Sequence, residues 1–269
     1  MSTTITVIIV NYNTGALLQQ VVSQVLTDDS VSEIIIVDNN SQDESMSLLP
    51  ENKKIQIYYR TENHGFAASC NFAANKTKAE YLLFLNPDCI PTQDSIKQLV
   101  QELQQQAKAA IIGCLVKNPD GSEQRATRRR LPTLMRAIKT YSRIEKLAKV
   151  CTCFAGVNLN FAPMPTKTQQ VQAISGAFII MRANIFHKIG GFDEKYPLHF
   201  EDLDLFKRTQ DAGYKLLFNP NISVVHHQGT SSLSNPDVKN LKKQGLLRYF
   251  KKHESRTTYK IIRAFMRIL

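Results

Sequence analysis

The polar residues most able to do chemistry in this 269-residue chain stand directly after short apolar runs. Asp88 closes Asn86-Pro87-Asp88 immediately after Tyr81–Leu85. The proline cannot donate to a strand ladder, so the chain must turn out of a sheet there. A hard divalent cation takes oxygen ligands and often needs only one or two protein carboxylates when phosphate oxygens fill the rest. One Asp at a strand end suits such a site, and an ordinary turn accounts for the same three residues equally well. Asp38 follows Glu33–Val37 in the same way. Its carboxylate could accept hydrogen bonds from a base or ribose, as acids do at related strand ends. The run Asp38-Asn39-Asn40-Ser41 also suits an Asx turn.

Further along, Glu201, Asp202 and Asp204 follow Phe200. A carboxylate here could serve as a general base toward an attacking hydroxyl. Acids also favour the positive N-terminus of a helix, which is a sufficient structural reason for the cluster. His226 ends an apolar run, where it could bind metal or phosphate; a lone His is more often structural, and His227 beside it blurs the choice. Asn63-His64-Gly65-Phe66-Ala67-Ala68 leads from a loop into a helix whose first turn lacks bulk. Free backbone N–H groups there could meet a ligand, or Asn63 could simply cap the helix.

The elements that must carry these residues are legible from periodicity. Ile5–Val10, Glu33–Val37 and Tyr81–Leu85 are short, continuous, β-branched or aromatic runs, which suit strands buried on both faces. Leu17, Leu18, Val21, Val22 and Val25 have helical spacing, and Phe66, Cys70, Phe72 and Ala73 share it more loosely. Strands alternating with helices predict an α/β fold with a parallel sheet. Ligands bind beyond the carboxyl ends of such strands, where these polar caps recur. A helix is predicted over Ser95–Gln106, with strands at Ala110–Val116 and Ile222–Val225 and an apolar run at Ala177–Met181.

Composition narrows the class. With 43% hydrophobic residues the chain can bury a substantial core. No run approaches the roughly 20 apolar residues of a membrane span, and the N-terminus lacks the pattern of a secretory signal. A cytoplasmic protein is expected. The five cysteines, Cys70, Cys89, Cys114, Cys151 and Cys153, lack metal or disulfide spacing and are expected as reduced, buried thiols. The net charge of +11 is uneven. Residues 125–149 carry nine Lys/Arg against one Glu, and residues 237–269 carry ten against two acids. Arg256, Lys260, Arg263 and Arg267 share one helical face, opposite Tyr259, Ile262, Met266 and Leu269. That is a basic amphipathic helix, able to lie on an anionic membrane with its apolar face inserted. Alternatively it packs on the domain with its charges solvated. Arg128-Arg129-Arg130 could face the same membrane or a lipid diphosphate.

Taken in order, Val10-Asn11-Tyr12-Asn13, Val37-Asp38-Asn39-Asn40-Ser41, Asn63-x-Gly65-Phe66-Ala67 with Asn71, and Leu85-Asn86-Pro87-Asp88 resemble glycosyltransferase family 2. Gly190-Gly191-Phe192-Asp193-Glu194, Phe200-Glu201-Asp202-x-Asp204-Leu205 and His226-x-x-Gly229-x-Ser231 continue the likeness, which spans residues 5–231. It is closest to the bacterial rhamnosyltransferase-like branch that builds cell-surface polysaccharide. The resemblance implies a GT-A fold: a mostly parallel, Rossmann-like sheet flanked by helices. It places a catalytic domain at 1–235, with a nucleotide-sugar half at about 1–118 and an acceptor half at about 170–235. A basic amphipathic helical tail follows at 236–269.

It also implies inverting transfer from a nucleotide sugar, with dTDP-linked L-rhamnose preferred over a UDP-hexose. Asn11, Asn13, Asp38, Asn39, Asn63, Gly65, Phe66, Asn71 and Asn86 would contact the donor. Asp88 would bind Mg2+ or Mn2+ with His226; Asn86 stands where the family's D-x-D motif has its first Asp, leaving one charged ligand there. Asp202 would be the base, with Glu201 beside it, and Ser175, Gly176 and Glu201 would contact a polyprenyl-diphosphate-linked or saccharide acceptor. The implied location is the inner face of the cell membrane, peripherally bound.

Two other classes compete. A nucleic-acid-binding protein would need stacking aromatics among the charges, for which Tyr141 and Tyr249 are a thin supply. It would also leave the polar strand ends without a purpose. A dinucleotide oxidoreductase would need G-x-G-x-x-G where the chain has Asn11-Tyr12-Asn13-Thr14-Gly15.

Overall fold

The computed structural model describes residues 3–227 and 237–268. The first half alternates strands with helices except for the direct step from β2 to β3: β1 (Ile5–Asn11), α1 (Ala16–Leu26), β2 (Glu33–Asp38), β3 (Ile55–Tyr59), α2 (Gly65–Ala74) and β4 (Tyr81–Leu85). There follow β5 (Cys89–Pro91), α3 (Ser95–Gln104), β6 (Ala109–Lys117), β7 (Arg128–Arg129) and α4 (Leu134–Tyr141). Two 3₁₀ turns, Ile144–Lys149 and Thr152–Phe154, lead to β8 (Gln169–Val171), β9 (Ala173–Ile174) and β10 (Phe178–Arg182). The chain continues with α5 (Ala183–Lys188), α6 (Glu201–Asp211), β11 (Lys215–His226), α7 (Val238–His253) and α8 (Arg256–Ile268).

Nine strands form one sheet in the order β3-β2-β1-β4-β10-β6-β11-β5, with β8 also paired to β11. The run β3-β2-β1-β4 is parallel throughout. β10 is inserted antiparallel between β4 and β6, and β11 runs parallel to β6. The three apolar runs became strands because alternate side chains find a core on either face. Val7, Ile9, Ile34, Ile36, Leu83 and Leu85 meet α1 and α3 on one side. Ile8, Val10, Ile35, Val37, Leu82 and Phe84 meet α2, α6, α7 and α8 on the other. Each such buried side chain contributes roughly 1.5–3 kcal/mol.

Four expectations change. β11 is far longer than Ile222–Val225: Pro220 and a register irregularity between Asn219 and Ser223 interrupt its pattern without ending the strand. Cys151 and Cys153 are exposed in a surface turn, with sulfurs 2.7 Å apart, whereas Cys70, Cys89 and Cys114 are buried. The C-terminal helix does not offer its apolar face to a membrane. Ile262 and Met266 are buried in the same cluster as Leu246, Tyr249 and Phe250 of α7, with Tyr259 packed against it. Leu269, expected on that face, and Gly229 and Ser231 of the His226 motif lie outside the described residues. Finally, Arg128 turns inward to Glu123 and to the carbonyls of Ala162 and Pro163 rather than facing an outside anion.

Candidate active site

Strand register assembles the site. Asn11 and Asp38 are paired neighbours at the ends of β1 and β2. The Asn11 amide nitrogen lies 2.9 Å from Asp38 Oδ1, and Ser41 donates to the same carboxylate through Oγ (2.6 Å) and its backbone N–H (3.1 Å). The Asx-type turn is therefore real, and it fixes a buried carboxylate at the strand end. Asn13, in a left-handed backbone conformation (φ 53), accepts from Gln42 N–H. Asn39 joins β2 to the start of α2, accepting from Ser69 Oγ at 2.7 Å and donating to Gly65 O. Asn63 Oδ1, just before that helix, accepts from Gly65 N–H at 2.9 Å, and Gly65 takes φ +81, which favours glycine.

Two expected donor residues point elsewhere. Phe66 packs edge-on against Phe192. Asn71 uses its whole amide on the Gly190–Glu194 loop: it accepts from Phe192 N–H and donates to Phe192 O and Glu194. The structure thus gives Asn71 a role in bracing that loop. A recess of about 270 Å³ beside it, lined by Asn75, His187 and Gly190, contains none of Asp38, Asp88, Asp202 or His226.

The Asn86-Pro87-Asp88 segment is a turn, closed by Cys89 N–H on Asn86 O at 3.1 Å, and it also presents Asp88 to His226. Antiparallel pairing of β5 with β11 sets Cys89 opposite His226, so Asp88 Oδ1 lies 3.0 Å from His226 Nε2. Both side chains are buried. Gln124 Oε1 accepts from His226 Nδ1–H at 2.8 Å, and Gln124 Nε2 donates to the His226 carbonyl. His226 Nε2 also lies 3.3 Å from Asn86 Nδ2, so Asn86, Asp88 and His226 converge on one point. The donor set of one carboxylate, one oriented imidazole and open substrate oxygens fits a hard divalent ion. Among the described residues no cluster of three His, Cys, Asp or Glu forms a closed metal cage.

On the acceptor side, His199 and Phe200 both adopt left-handed backbone conformations (φ 61 and 71) just before α6. Such strain is costly and needs support. Gly245 of α7 provides it: an added Cβ would sit 2.9 Å from His199 O. The turn aims Asp202 at Ser175-Gly176, where a Cβ on Gly176 would lie 2.8 Å from Asp202 Oδ2. Ala177 O in turn accepts from Asn86 N–H at 3.0 Å. One short stretch, Ser175–Ala177, therefore separates Asp202 from the Asn86–Asp88 turn. Arg129 pairs with Asp202 Oδ2 while its Nε donates to Ile174 O at 3.1 Å, holding the carboxylate in place.

The neighbouring acids differ. Burial pushes the Glu201 carboxyl up to about 8, and the Asp202 charge adds to it. Its Oε2 is buried without a partner among the described residues. Asp204 is fully buried and structural. Burial alone would raise its pKa, but hydrogen bonds from His253 and Lys252 and the Arg208 guanidinium hold the carboxyl far below 3.8. Burial, with the Lys242 ammonium adding to it, lowers His199 to about 4, so that ring stays neutral. Gln124 and Arg129 are functional neighbours that sequence reasoning missed. Nothing local marks Gln124, and Arg129 was masked by its place in a run of three arginines. Of the two tyrosines that nucleic-acid stacking would use, Tyr249 is buried and Tyr141 packs against the core.

Comparison with known proteins gives the family and the fold. The model of glycosyl transferase family 2 matches residues 6–190. The N-acetylglucosaminyl-diphospho-decaprenol L-rhamnosyltransferase of Mycobacterium tuberculosis is 24% identical over 251 residues, covering 88% of this chain and 80% of its own length. The Escherichia coli rhamnosyltransferase WbbL is 25% identical, covering 82% of each. The structure of GalNAc-T7 with UDP, GalNAc and Mn2+ superposes with a TM-score of 0.64 at 17% identity, covering 90% of this chain and 47% of that one. Mannosyltransferase PcManGT from Pyrobaculum calidifontis, in complex with GDP-Man and Mn2+, superposes at 0.61 and 16%, covering 96% and 67%. These likenesses identify the fold as GT-A.

Proposed function

The chain belongs to glycosyl transferase family 2 and is a glycosyltransferase, and from that premise we propose that it moves L-rhamnose, with inversion, from dTDP-rhamnose to a polyprenyl-diphosphate-linked saccharide in cell-surface polysaccharide synthesis. The observation that carries the reading is the contiguity of Asp202, Gly176, Ala177 and the Asn86–Asp88 turn. It sets one carboxylate base beside the Asp88–His226 pair.

Asp202 takes the proton of the acceptor hydroxyl as that oxygen attacks the sugar, since a hydroxyl is a poor nucleophile until deprotonated. Arg129 keeps the carboxylate aimed. Gly176 leaves the space in which acceptor and base meet, with Ser175 and Glu201 lining it; a protonated Glu201 can donate a hydrogen bond to the acceptor. Asn11, Asn13, Asp38, Asn39, Asn63 and Gly65 hold the nucleoside and diphosphate, and Asp88 and His226, with Asn86 beside them, would hold Mg2+ or Mn2+. A bound ion would neutralise the charge developing on the leaving diphosphate. Single displacement needs one base and no protein nucleophile on the opposite face of the sugar. A membrane-borne acceptor places the enzyme at the inner face of the cell membrane.

Two measurements test this. In a thermal-shift panel of dTDP-rhamnose, UDP-hexoses and UDP-hexosamines with Mg2+ or Mn2+, dTDP-rhamnose should give the largest metal-dependent rise. Donor at 100 times its Kd adds about 2.7 kcal/mol, which raises Tm by roughly 5–8 °C for a chain of this size. Asp202→Asn should keep that rise and lose nearly all transfer. Turnover retained in the variant would remove Asp202 as the base, and a larger rise with a UDP-hexose would replace the donor.

A further inference from the structure

The 3₁₀ segment Ile144–Lys149 has an order that the proposed chemistry does not use. A 3₁₀ helix has three residues per turn, so positions three apart eclipse one another. Ile144, Leu147 and Val150 consequently stand along one edge, and they are 40%, 51% and 89% exposed. The inward positions Glu145 and Ala148 are buried. The geometry is real 3₁₀: Lys146 N–H donates to Arg143 O, and Val150 N–H to Leu147 O. Single exposed apolar residues are ordinary; an aligned ridge of three is not what solvation favours.

The flanks of the ridge are cationic. Arg143 and Lys146 are exposed and pair with no acid among the described residues. α8 packs on α4 and exposes Arg256, Lys260, Arg263 and Arg267, likewise without acid partners there. We propose that the Ile144/Leu147/Val150 ridge, flanked by Arg143 and Lys146, is the surface by which the protein docks on an anionic lipid bilayer. Apolar side chains enter the acyl boundary and Lys/Arg neutralise headgroups. This deepens, and rests on, the reading of a membrane-borne acceptor, and it moves the contact away from the buried face of α8.

The ridge is also tied to the site. Glu145, beneath it, accepts from Asn158 at 3.1 Å. Asn158 forms a β-bridge with Arg129, the residue paired to Asp202. A chain of contacts through Glu145, Asn158 and Arg129 therefore links the ridge to the base that must meet a lipid-linked hydroxyl. Neither competing partner suits the surface. Nucleic acid offers no apolar sink, and two copies meeting through the ridge would bring like charges together.

Co-sedimentation of the full chain with phosphatidylglycerol/phosphatidylcholine vesicles, against phosphatidylcholine alone, tests the proposal. Wild type should partition to the anionic vesicles in a salt-sensitive manner and much less to the neutral ones. Leu147→Ser/Val150→Ser should weaken partitioning about tenfold or more. Arg143→Ser/Lys146→Ser should weaken it about 25-fold at low salt. All four positions are exposed, so both variants should keep the wild-type Tm and its rise with nucleotide sugar and metal. Unchanged partitioning in both variants, equal binding to neutral vesicles, or a wild-type dimer dispersed by the apolar double variant would overturn it. Vesicle binding without any nucleotide-sugar stabilisation would sink the proposed donor and leave the docking surface standing; nucleotide-sugar stabilisation without vesicle binding would do the opposite.

Discussion

Replacing Asp204 by Asn separates the structural acid of the Glu201–Asp204 cluster from the chemical one. Asp204 is fully buried and receives Arg208 Nε, Lys252 Nζ and His253 Nε2, each at 2.7 Å, with the Tyr196 hydroxyl at 3.3 Å. It is the hub that pins α7 to α6. Breaking one side of a buried ion pair costs about 3–5 kcal/mol because the partner charges are stranded. Here Arg208 and Lys252 keep 20% and 32% side-chain exposure and can rehydrate, so the low end, about 3 kcal/mol, is expected. For a chain of this length that lowers Tm by roughly 6–9 °C.

The pH dependence has a definite sign. The folded carboxyl titrates well below its ordinary 3.8, so its contribution is complete above about pH 4 and is lost as pH falls below it. Thermal unfolding of both proteins from pH 3 to 8 should therefore show a constant gap above about pH 4 that narrows beneath it. Below its lowered Tm, Asp204→Asn should retain nucleotide-sugar binding and transfer. A variant as stable as wild type but inactive would refute the assignment and return Asp204 to the chemistry.

Gln124→Leu removes the acceptor that fixes His226 Nδ1–H; titrating the metal-dependent thermal shift should show apparent metal affinity reduced about 10–100-fold, and an unchanged titration would exclude His226 as a ligand oriented this way. Glu201→Gln mimics the protonated acid that burial favours. Because the folded carboxyl titrates near 8 against an ordinary 4.5, wild type should lose stability relative to this variant as pH rises from about 5 to 8, then run parallel above. A Tm difference that is flat across that range would mean Glu201 ionises normally.

The sequence by itself determined the sheet half of the site. Period and composition are local quantities, so Ile5–Val10, Glu33–Val37 and Tyr81–Leu85 announce strands wherever they are placed, and their polar caps follow one residue later. β3 escaped notice because as an edge strand its residues are half-exposed and polar residues interrupt them. Register, long-range pairing and burial belong only to the tertiary structure. No local pattern sets Gln124 against His226, or Arg129 against Asp202, across 102 and 73 residues. The acids of α6 look equivalent along the chain and become different only when His253 and Lys252 arrive from α7 to claim Asp204. The same is true of Asn71, whose contacts to the Gly190–Glu194 loop span more than a hundred residues. The amphipathic period of the last helix is visible in the sequence, but a period cannot say whether the apolar face meets lipid or protein. That was decided by the core cluster of α6 and α7 with which Ile262 and Met266 are buried.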